Sequence, residues 1–356
     1  MKHRGRPLAL ISVKTQFENV GDALIVRELL RLIAARARLV VDVSRCPGPF
    51  AGQLDLSGED ITVIRRLGWL KIYGMTMAGR LAGARVFHFL VPGGRGGEIP
   101  PSALRRQKLL AAIDRFIRLL GVRICQLGVS YGELGPRYAA ALRSRARAMH
   151  SLAVRDTLSG LQAKRVNIPV AGIVPDLAFN IFALGDRAPV QPGRVAFSFR
   201  TDRGSEDAGR TEIFVTRLLD SHPEWSTILL VSQVRRDDAF QRQLADAIPK
   251  REGRSVIFVP CFTITEALAA YEGCEAVFSN RLHSLLMAAS RGVAPVAVLS
   301  GAGDDKIRGI FDDLGATANL CSLTQPPTTL PPALDVKKTA LWRERIQAHF
   351  DQLLAS

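Results

Sequence analysis

Arg281 and His283 are the residues whose types and spacing point most directly to chemistry. They follow a short apolar run at residues 276–278 and open a helical pattern that ends near Arg291, after which residues 294–299 are again apolar. This order predicts one βαβ unit, whose crossover implies a parallel sheet. An arginine can hold a carboxylate or phosphate through two hydrogen bonds, and a histidine titrates near neutral pH. The pair therefore suits an anionic substrate that undergoes proton transfer.

The elements around this pair would place it where ligands bind, because the carboxyl end of a parallel strand and the following helix N-terminus share a crevice. Ser279 or Asn280 is expected to cap the helix, and the free backbone N–H groups of its first turn favour an anion. A purely structural interpretation also stands. A histidine in a first turn is often an additional cap, and an arginine there often pairs with an acid.

A second group of candidates lies near the N-terminus. Asn19, Gly21 and Asp22 follow an apolar strand pattern at residues 8–13 and open another helical pattern. Gly21 permits a close backbone approach or a positive φ, and Asp22 is expected either to cap the helix or to act as a base toward a sugar hydroxyl. The glycine-rich residues 92–98 end in Glu98 and form a possible substrate loop, although they match neither a Walker motif nor a dinucleotide fingerprint.

These segments together resemble the polysaccharide pyruvyl transferase family. The most specific stretch is residues 279–298, SNRLHSLLMAASRGVAPVAV, which is similar to the family's Arg-Leu-His at the head of a small-residue helix; Lys306 follows it. Other segments resemble the family's motifs in the expected order: the N-x-G-D of residues 19–22, the R-D-x-x-S of residues 155–159, the P-D of residues 175–176 and the S-x-R of residues 198–200. The resemblance covers roughly residues 8–315.

The resemblance implies transfer of the enolpyruvyl unit of phosphoenolpyruvate (PEP) onto two sugar hydroxyls as a cyclic ketal, with release of phosphate. PEP is a co-substrate in this scheme, so we expect no cofactor and no metal. His283 is the expected acid or phosphate ligand, and Asp22 the expected base, with Glu98 and Glu133 as further candidates. The expected substrate-binding residues are Arg200, Arg281, Leu282, Lys306, Asn19, Gly21 and Glu98. The acceptor implied is a glycan, in this family's setting often lipid-linked.

The length of 356 residues exceeds the usual size of one core, which predicts two domains. Apolar strand patterns alternate with amphipathic helix patterns through both halves. We therefore expect two Rossmann-like α/β domains with parallel sheets facing each other across a cleft, the GT-B-like architecture that the resemblance also implies. The expected boundaries are residues 1–180 for an acceptor-binding domain, 190–335 for a PEP-binding domain and 336–356 for a final helix.

The net charge of +15 is divided unevenly along the chain. Residues 1–180 hold 28 Lys or Arg against 12 Asp or Glu, whereas residues 181–356 hold 20 against 21. A basic half suits nucleic acid or anionic lipid, but the low aromatic content and the lack of a zinc-finger, KH or RRM signature disfavour nucleic acid. Residues 68–85 mix apolar residues with Lys71 and Arg80, as in segments at a bilayer interface; a buried helix is the alternative. We expect contact with an anionic membrane surface.

Five scattered cysteines without a C-x-x-C pattern indicate a reducing compartment and no zinc site. No secretory signal or membrane-spanning run is predicted, so we expect a cytoplasmic protein that is peripheral at the inner face of the membrane.

Two alternative functions remain open. One is a GT-B glycosyltransferase that uses a nucleotide sugar, for which Glu275 and Asp304 are the carboxylates available near the Arg-Leu-His helix. The other is an inactive family member that serves as a scaffold in exopolysaccharide assembly.

Overall fold

The computed structural model describes residues 5–183, 188–200, 205–249, 251–301 and 304–355, and the chain forms two compact α/β units. Unit 1 comprises Met1–Phe17, Ile25–Leu177 and Glu344–Ser356, and unit 2 comprises Glu18–Leu24 and Ala178–Arg343. Each unit is built on its own parallel sheet, which confirms the predicted fold class of two parallel-sheet α/β domains. Among the helices of the described residues, none is both long and apolar enough to cross a bilayer.

The strands are β1 (Leu8–Ser12), β2 (Arg38–Asp42), β3 (Ile61–Ile64), β4 (Val86–Leu90), β5 (Gly94–Gly97), β6 (Arg123–Leu134), β7 (Ser151–Val154), β8 (Gly172–Ile173), β9 (Arg194–Ser198), β10 (Thr227–Ser232), β11 (Ser255–Pro260), β12 (Ala276–Ser279), β13 (Ala294–Leu299) and β14 (Leu320–Ser322). The α-helices are α1 (Val20–Ala34), α2 (Gly48–Ala51), α3 (Gly68–Leu81), α4 (Pro101–Leu119), α5 (Pro136–Ala146), α6 (Thr157–Arg165), α7 (Ser205–Ser221), α8 (Asp238–Ala247), α9 (Ile264–Tyr271), α10 (Leu282–Ser290), α11 (Asp305–Asp313) and α12 (Val336–Ala355). Short 3-10 helices span Leu177–Ala183, Arg235–Asp237 and Thr317–Asn319.

The sheet of unit 1 has the strand order β3-β2-β1-β4-β6-β7-β8, and β5 pairs with β6 beside this path. Its central strands are apolar on both faces because helices cover both sides, as in other doubly wound sheets. One core cluster joins Leu10 of β1 and Ile124 of β6 to Ile72 of α3 and Ile117 of α4. A second cluster, which includes Tyr138 of α5, packs against β6 and β7.

The sheet of unit 2 has the strand order β11-β10-β9-β12-β13-β14. This is the order of a Rossmann-like sheet, in which the strand order reverses between β9 and β12. Stacked aromatic rings fill the core at that point: Phe197 of β9 lies 5.2 Å from Phe278 of β12, centroid to centroid. Trp225 and Phe214 pack against the same rings. The crevice at the carboxyl ends of β9 and β12 is the place where such sheets bind ligands.

The structure corrects one local prediction. The glycine-rich residues 92–98, predicted as a loop, contain β5, and β6 runs through Gly128 and Gly132 to Leu134. The reason is that β5 and β6 pair with each other, with a register shift that accommodates the glycines.

Candidate active site

The predicted site residues of unit 2 lie at the carboxyl edge of its sheet. Arg200 follows β9, Arg281 follows β12, and Lys306 lies near the start of α11 after β13. Parallel strands bring these ends to one edge, so three cationic residues from three strand ends share it. Lys306 is exposed, whereas Arg281 is largely buried.

Asn280 ties the two central strand ends together. Its Oδ1 accepts a hydrogen bond from the backbone N–H of Arg200 at 2.7 Å, and its Nδ2 donates to the backbone carbonyl of Arg200 at 3.4 Å. The buried hydroxyl of Ser279 donates to the carbonyl of Ser198 and accepts from the N–H of Arg281 at 2.9 Å. These hydrogen bonds fix the backbone of both arginines at the ends of β9 and β12, where the strand order reverses.

Neither Ser279 nor Asn280 caps α10, so that prediction was wrong. Arg281 occupies the N-cap position, and its side chain makes no capping hydrogen bond. The physical reason is that both predicted caps are already bonded to the end of β9. The first turn of α10, at the positive end of the helix dipole, is suited to an anion.

The guanidinium of Arg281 forms an ion pair with Asp237, whose side chain is 1% exposed. Asp237 lies in the 3-10 helix that follows β10. In the sheet, β10 is next to β9 on the side opposite β12. An aspartate can occupy one edge of a guanidinium while other N–H groups point elsewhere. The ion pair therefore orients Arg281 and at the same time reduces the net positive charge of the site.

A series of hydrogen bonds between buried polar side chains supports the first turn of α10. The hydroxyl of Ser284 donates to Oε1 of Gln233 at 3.0 Å and lies 3.4 Å from the hydroxyl of Ser198. Nε2 of Gln233 donates to the hydroxyl of Tyr271 at 2.8 Å, and burial raises the pKa of that hydroxyl. These hydrogen bonds join α10 to the ends of β9 and β10 and to α9. They hold Ser284, the residue that follows His283, in one position.

His283 packs directly against the first turn of α1. A Cβ atom built on Gly21 would lie 2.5 Å from Nδ1 of His283 and 2.7 Å from its Cβ, closer than real side chains approach. Both residues belong to unit 2, which includes Glu18–Leu24. The absence of a side chain at Gly21 is thus what allows the N-x-G-D segment and the Arg-Leu-His segment to meet.

Asn19 and Asp22 form the rest of this contact region. Oδ1 of Asn19 accepts from the N–H of Gly21 at 3.0 Å, so Asn19 caps α1. Nδ2 of Asn19 donates to Oδ1 of Asp22 at 3.0 Å. The interpretation of Asp22 as the helix cap is therefore wrong, and its carboxylate is held in place by the residue that does cap the helix.

Two other predicted site residues, Leu282 and Glu98, make contacts that support the fold. Leu282 is buried, with 8% of its side chain exposed, and belongs to the packed face of α10. Glu98 belongs to unit 1, where its carboxylate accepts from the N–H groups of Ile99 at 3.0 Å and Arg137 at 3.1 Å. Glu98 thus supplies acceptors to the first turn of α5.

The R-D-x-x-S and P-D segments form one buried cluster in unit 1. Arg155 lies between the carboxylates of Asp156 at 3.2 Å and Asp176 at 3.1 Å, and all three side chains are buried. Asp156 also caps α6 by accepting from the N–H of Ser159 at 2.6 Å. The hydroxyl of Ser159 accepts in turn from the N–H of Tyr131. The motif therefore ties the carboxyl ends of β6 and β7 together.

Sequence reasoning missed Asp237, Gln233 and Tyr271. Gln233 and Asp237 follow the carboxyl end of β10, so the rule that strand ends carry functional residues would have found them. Tyr271 ends a helix and carried no comparable signal. Within the parts of the chain that the structure describes, no three His, Cys, Asp or Glu side chains are grouped to hold a metal ion; that the reaction needs no cofactor stays a prediction.

Solved structures with a similar fold bind or act on nucleotide sugars. They include Phytolacca americana UGT2 complexed with UDP-2-fluoro-glucose and pterostilbene, with 11% identity, a TM-score of 0.51 and coverage of 98% of this chain and 94% of that one. Another is Methanocaldococcus jannaschii UDP-GlcNAc 2-epimerase, with 8% identity, a TM-score of 0.53 and coverage of 96% of this chain and 99% of that one. A third is Neisseria meningitidis UDP-GlcNAc 2-epimerase, with 9% identity, a TM-score of 0.51 and coverage of 98% of this chain and 91% of that one. At these identities the similarity shows the GT-B-like fold alone.

Comparison with curated protein sequences gives no significant match. The sequence profile described as "Polysaccharide pyruvyl transferase" matches residues 19–300, which include the N-x-G-D segment, the buried Arg155 cluster and the Arg-Leu-His helix. That match covers well over half of the chain, and the chain belongs to the polysaccharide pyruvyl transferase family.

Proposed function

We propose that the chain transfers the enolpyruvyl group of PEP onto two hydroxyls of a sugar, forming a pyruvate ketal. The observation that carries this proposal is the contact of Gly21 with His283 at the cationic carboxyl edge of unit 2. It brings three parts into one region: the imidazole of His283, which can donate a proton, the carboxylate of Asp22, the residue after Gly21, and the first turn of α10, which suits an anion. A reaction between an anionic donor and a hydroxyl needs those three parts.

PEP carries a carboxylate and a phosphate, and the edge of unit 2 offers cationic groups for both. Arg281 is oriented by Asp237, Arg200 is held by Asn280, and Lys306 is exposed at the next strand end. One of these cations, Arg281, is partly balanced by its ion pair with Asp237. We assign the phosphate to the first turn of α10, where the N–H groups and the helix dipole favour it.

In the proposed reaction, a proton adds to the methylene carbon of PEP and the first sugar hydroxyl bonds to C2. The second hydroxyl then displaces phosphate, which leaves with the oxygen that linked it to C2 and takes up the proton of that hydroxyl. The products are the cyclic ketal, whose methyl group carries the added proton, and inorganic phosphate. His283 is the proposed proton donor. Asp22, oriented by Asn19, is the proposed acceptor of a hydroxyl proton.

The fold would equally serve a nucleotide-sugar glycosyltransferase, but the two carboxylates considered for that role are engaged with the backbone. Glu275 precedes β12 at the amino edge of the sheet and accepts from the N–H of Gly193 at 2.8 Å. Asp304 accepts from the N–H groups of Ser300 and Gly301 at 2.7 and 2.8 Å. These bonds favour PEP over a nucleotide sugar as the donor.

The proposed acceptor is a lipid-linked glycan, whose phosphate groups would be anionic. Unit 1 contributes a cluster of cations suited to such groups. Burial lowers the pKa of Lys14, and the nearby charges of Arg45 and Arg106 lower it further, while Asp42 opposes them. Lys14 follows β1 and Arg45 follows β2, so both lie at the carboxyl edge of the sheet. Like charges held together in this way are stabilised by a bound anion.

The donor is tested by melting the protein in the presence of PEP, of UDP-sugars and of neither. A ligand at about a hundred times its dissociation constant adds about 2.7 kcal/mol to the stability of the state that binds it. We expect stabilisation by PEP alone, and loss of that shift in Arg281→Ala. Because Arg281→Ala also removes the ion pair with Asp237, the shift caused by PEP is the quantity to compare, not the melting temperature itself.

Arg251→Ala is the matched control, since Arg251 is an exposed arginine before β11, at the amino edge of the same sheet, where it pairs with Asp220. It should keep the full PEP shift. Stabilisation by a UDP-sugar and none by PEP would replace the proposal with the glycosyltransferase alternative. Stabilisation by neither, together with no turnover of PEP, would favour the scaffold alternative.

A further inference from the structure

Helix α4 carries an apolar stripe on the side that faces away from the sheet. Leu109, Ala112, Phe116 and Leu119 recur at the three- and four-residue spacing of one helix face, and all are exposed. Leu119 is 85% exposed and Phe116 is 62% exposed. The opposite side of the same helix is packed, with Ile117 buried in the core of unit 1. The helix therefore has two apolar faces, of which one is uncovered in the single chain.

Helix α3 repeats this arrangement. Leu70, Met77 and Leu81 lie on one exposed face, and Leu81 is also 85% exposed, whereas Ile72 on the other side is buried. Scattered exposed leucines are ordinary on protein surfaces, but two aligned stripes on two helices are not.

The two stripes belong to one surface of unit 1, which we call the α3–α4 face and define by Leu70, Met77, Leu81, Leu109, Phe116 and Leu119. Ile72 of α3 and Ile117 of α4 pack into one core cluster on the same side of the sheet. The C-terminal ends of the two helices also meet, because Nε of Arg80 donates to the carbonyl of Leu120 at 3.0 Å.

The exposed charges on the two helices all have one sign. The basic residues of the two helices are Lys71, Arg80, Arg105, Arg106, Lys108, Arg115 and Arg118. The acidic residue of the two helices is Asp114, which is buried and paired with Arg145 at 2.8 Å. Among the described residues, no carboxylate pairs with Lys71, Arg105, Arg106 or Lys108. Apolar stripes flanked by unpaired cations suit a surface that is apolar within and anionic at its boundary.

We propose that the α3–α4 face docks onto an anionic lipid bilayer, with the two stripes in the headgroup boundary and the flanking cations on lipid phosphates. A helix that lies in the interface in this way needs an apolar face and a Lys- and Arg-rich border, not the length of a membrane span. A second copy of the chain is a poorer occupant because the same face on both partners would place cations against cations. The inference does not depend on the identity of the donor.

Arg106 connects this face to the proposed acceptor site. It lies at the start of α4 and is close enough to Lys14 to lower the pKa of that amine. The phosphate groups of a lipid-linked acceptor held at Lys14 would therefore lie beside the surface that meets the bilayer. This consequence rests on the proposed acceptor, whereas the docking itself does not.

The test is co-sedimentation of the full chain with vesicles of phosphatidylcholine alone and with vesicles that also contain phosphatidylglycerol. We expect binding to the anionic vesicles, with at least about tenfold weaker binding in the double variant Arg105→Glu, Lys108→Glu, because each cation near an anionic surface contributes separately. Leu109→Gln with Phe116→Gln should weaken binding as well, and added salt should weaken it in the wild type. Circular dichroism spectra that match the wild type show that the variants are folded.

Ile213→Gln and Arg217→Glu are matched controls on α7 of unit 2, where both side chains are exposed, and they should bind as the wild type does. Equal binding to neutral and anionic vesicles, or binding that the α3–α4 variants leave unchanged, would overturn the proposal. So would self-association in solution that Leu109→Gln with Phe116→Gln abolishes, since that result would assign the face to a second copy. Vesicle binding and PEP stabilisation are separate measurements, so failure of one leaves the other interpretable.

Discussion

Replacement of Gly21 by alanine is the most specific perturbation of the contact between α1 and α10. The added Cβ would lie 2.5 Å from Nδ1, 2.7 Å from Cβ and 2.8 Å from Cγ of His283. Ordinary contacts between carbon atoms are about 3.5–4.0 Å, so the overlap is about 1 Å. Rotation of the imidazole cannot relieve it fully, because the Cβ of His283 is fixed to the backbone of α10.

Two effects of opposite sign determine the stability of Gly21→Ala. Alanine favours a helix over glycine by up to about 1 kcal/mol, whereas an overpacked contact typically costs about 1–3 kcal/mol. Gly209→Ala in α7 isolates the first effect, because a Cβ there meets nothing within 4 Å. We therefore expect Gly21→Ala to be about 1–3 kcal/mol less stable than Gly209→Ala. For a unit of this size, each 1 kcal/mol moves the melting temperature by roughly 2–4 °C.

The function of Gly21→Ala should suffer more than its stability. A displacement of a reacting group by about 1 Å can cost about a hundredfold in rate. The assays are thermal melting of both glycine variants and PEP turnover in each. Gly21→Ala with the stability and activity of Gly209→Ala would refute the close packing of His283 on α1 and the role derived from it.

Three further predictions concern single side chains. Asp237→Ala should destabilise unit 2 by about 3–5 kcal/mol in urea unfolding, because it removes the carboxylate that pairs with the largely buried Arg281; a loss below about 1 kcal/mol would show that this buried ion pair does not stabilise the fold. Asn280→Ala removes both bonds to the backbone of Arg200, so a stability loss of about 1–3 kcal/mol and weaker PEP binding in calorimetry are expected; unchanged affinity would separate Arg200 from the donor site. Burial, with the charges of Lys14 and Arg145, lowers the pKa of His88 from 6.5 to about 4. The unfolded chain therefore takes up this proton first, and the stability associated with neutral His88 is present above pH 6.5 and is lost as the pH falls toward 4. The loss is on the order of 3 kcal/mol, and unfolding titrations of His88→Gln should lack it; an equal pH slope in the variant would contradict the assignment.

The sequence predicted the sheet architecture because continuous apolar runs alternate with helix patterns, and burial on both faces produces such runs. It also located the Arg-Leu-His helix at a strand end. The helix caps could not be predicted from the sequence. Ser279, Asn280 and Asp22 are all good caps by residue type, and their hydrogen bonds depend on partners that the local sequence does not show.

Long-range contacts account for the rest. Asp237 meets Arg281 across 44 positions of chain, and Gly21 meets His283 across a far larger separation. Both contacts depend on the order of strands in the sheet, which the alternation of elements leaves undetermined. The length of β6 is hard to predict for a different reason: Gly128 and Gly132 are typical of turns, but here they lie within a strand that pairs irregularly with β5.

The measurement that tests the central claim most directly is the release of phosphate from PEP in the presence of a glycan-lipid fraction, with parallel detection of pyruvyl groups on the glycan. The wild type should release phosphate and transfer pyruvyl groups in equal amounts, and only when the glycan is present. His283→Asn should still be stabilised by PEP but should transfer little. Consumption of a nucleotide sugar without phosphate release from PEP, or unchanged transfer by His283→Asn, would contradict the account.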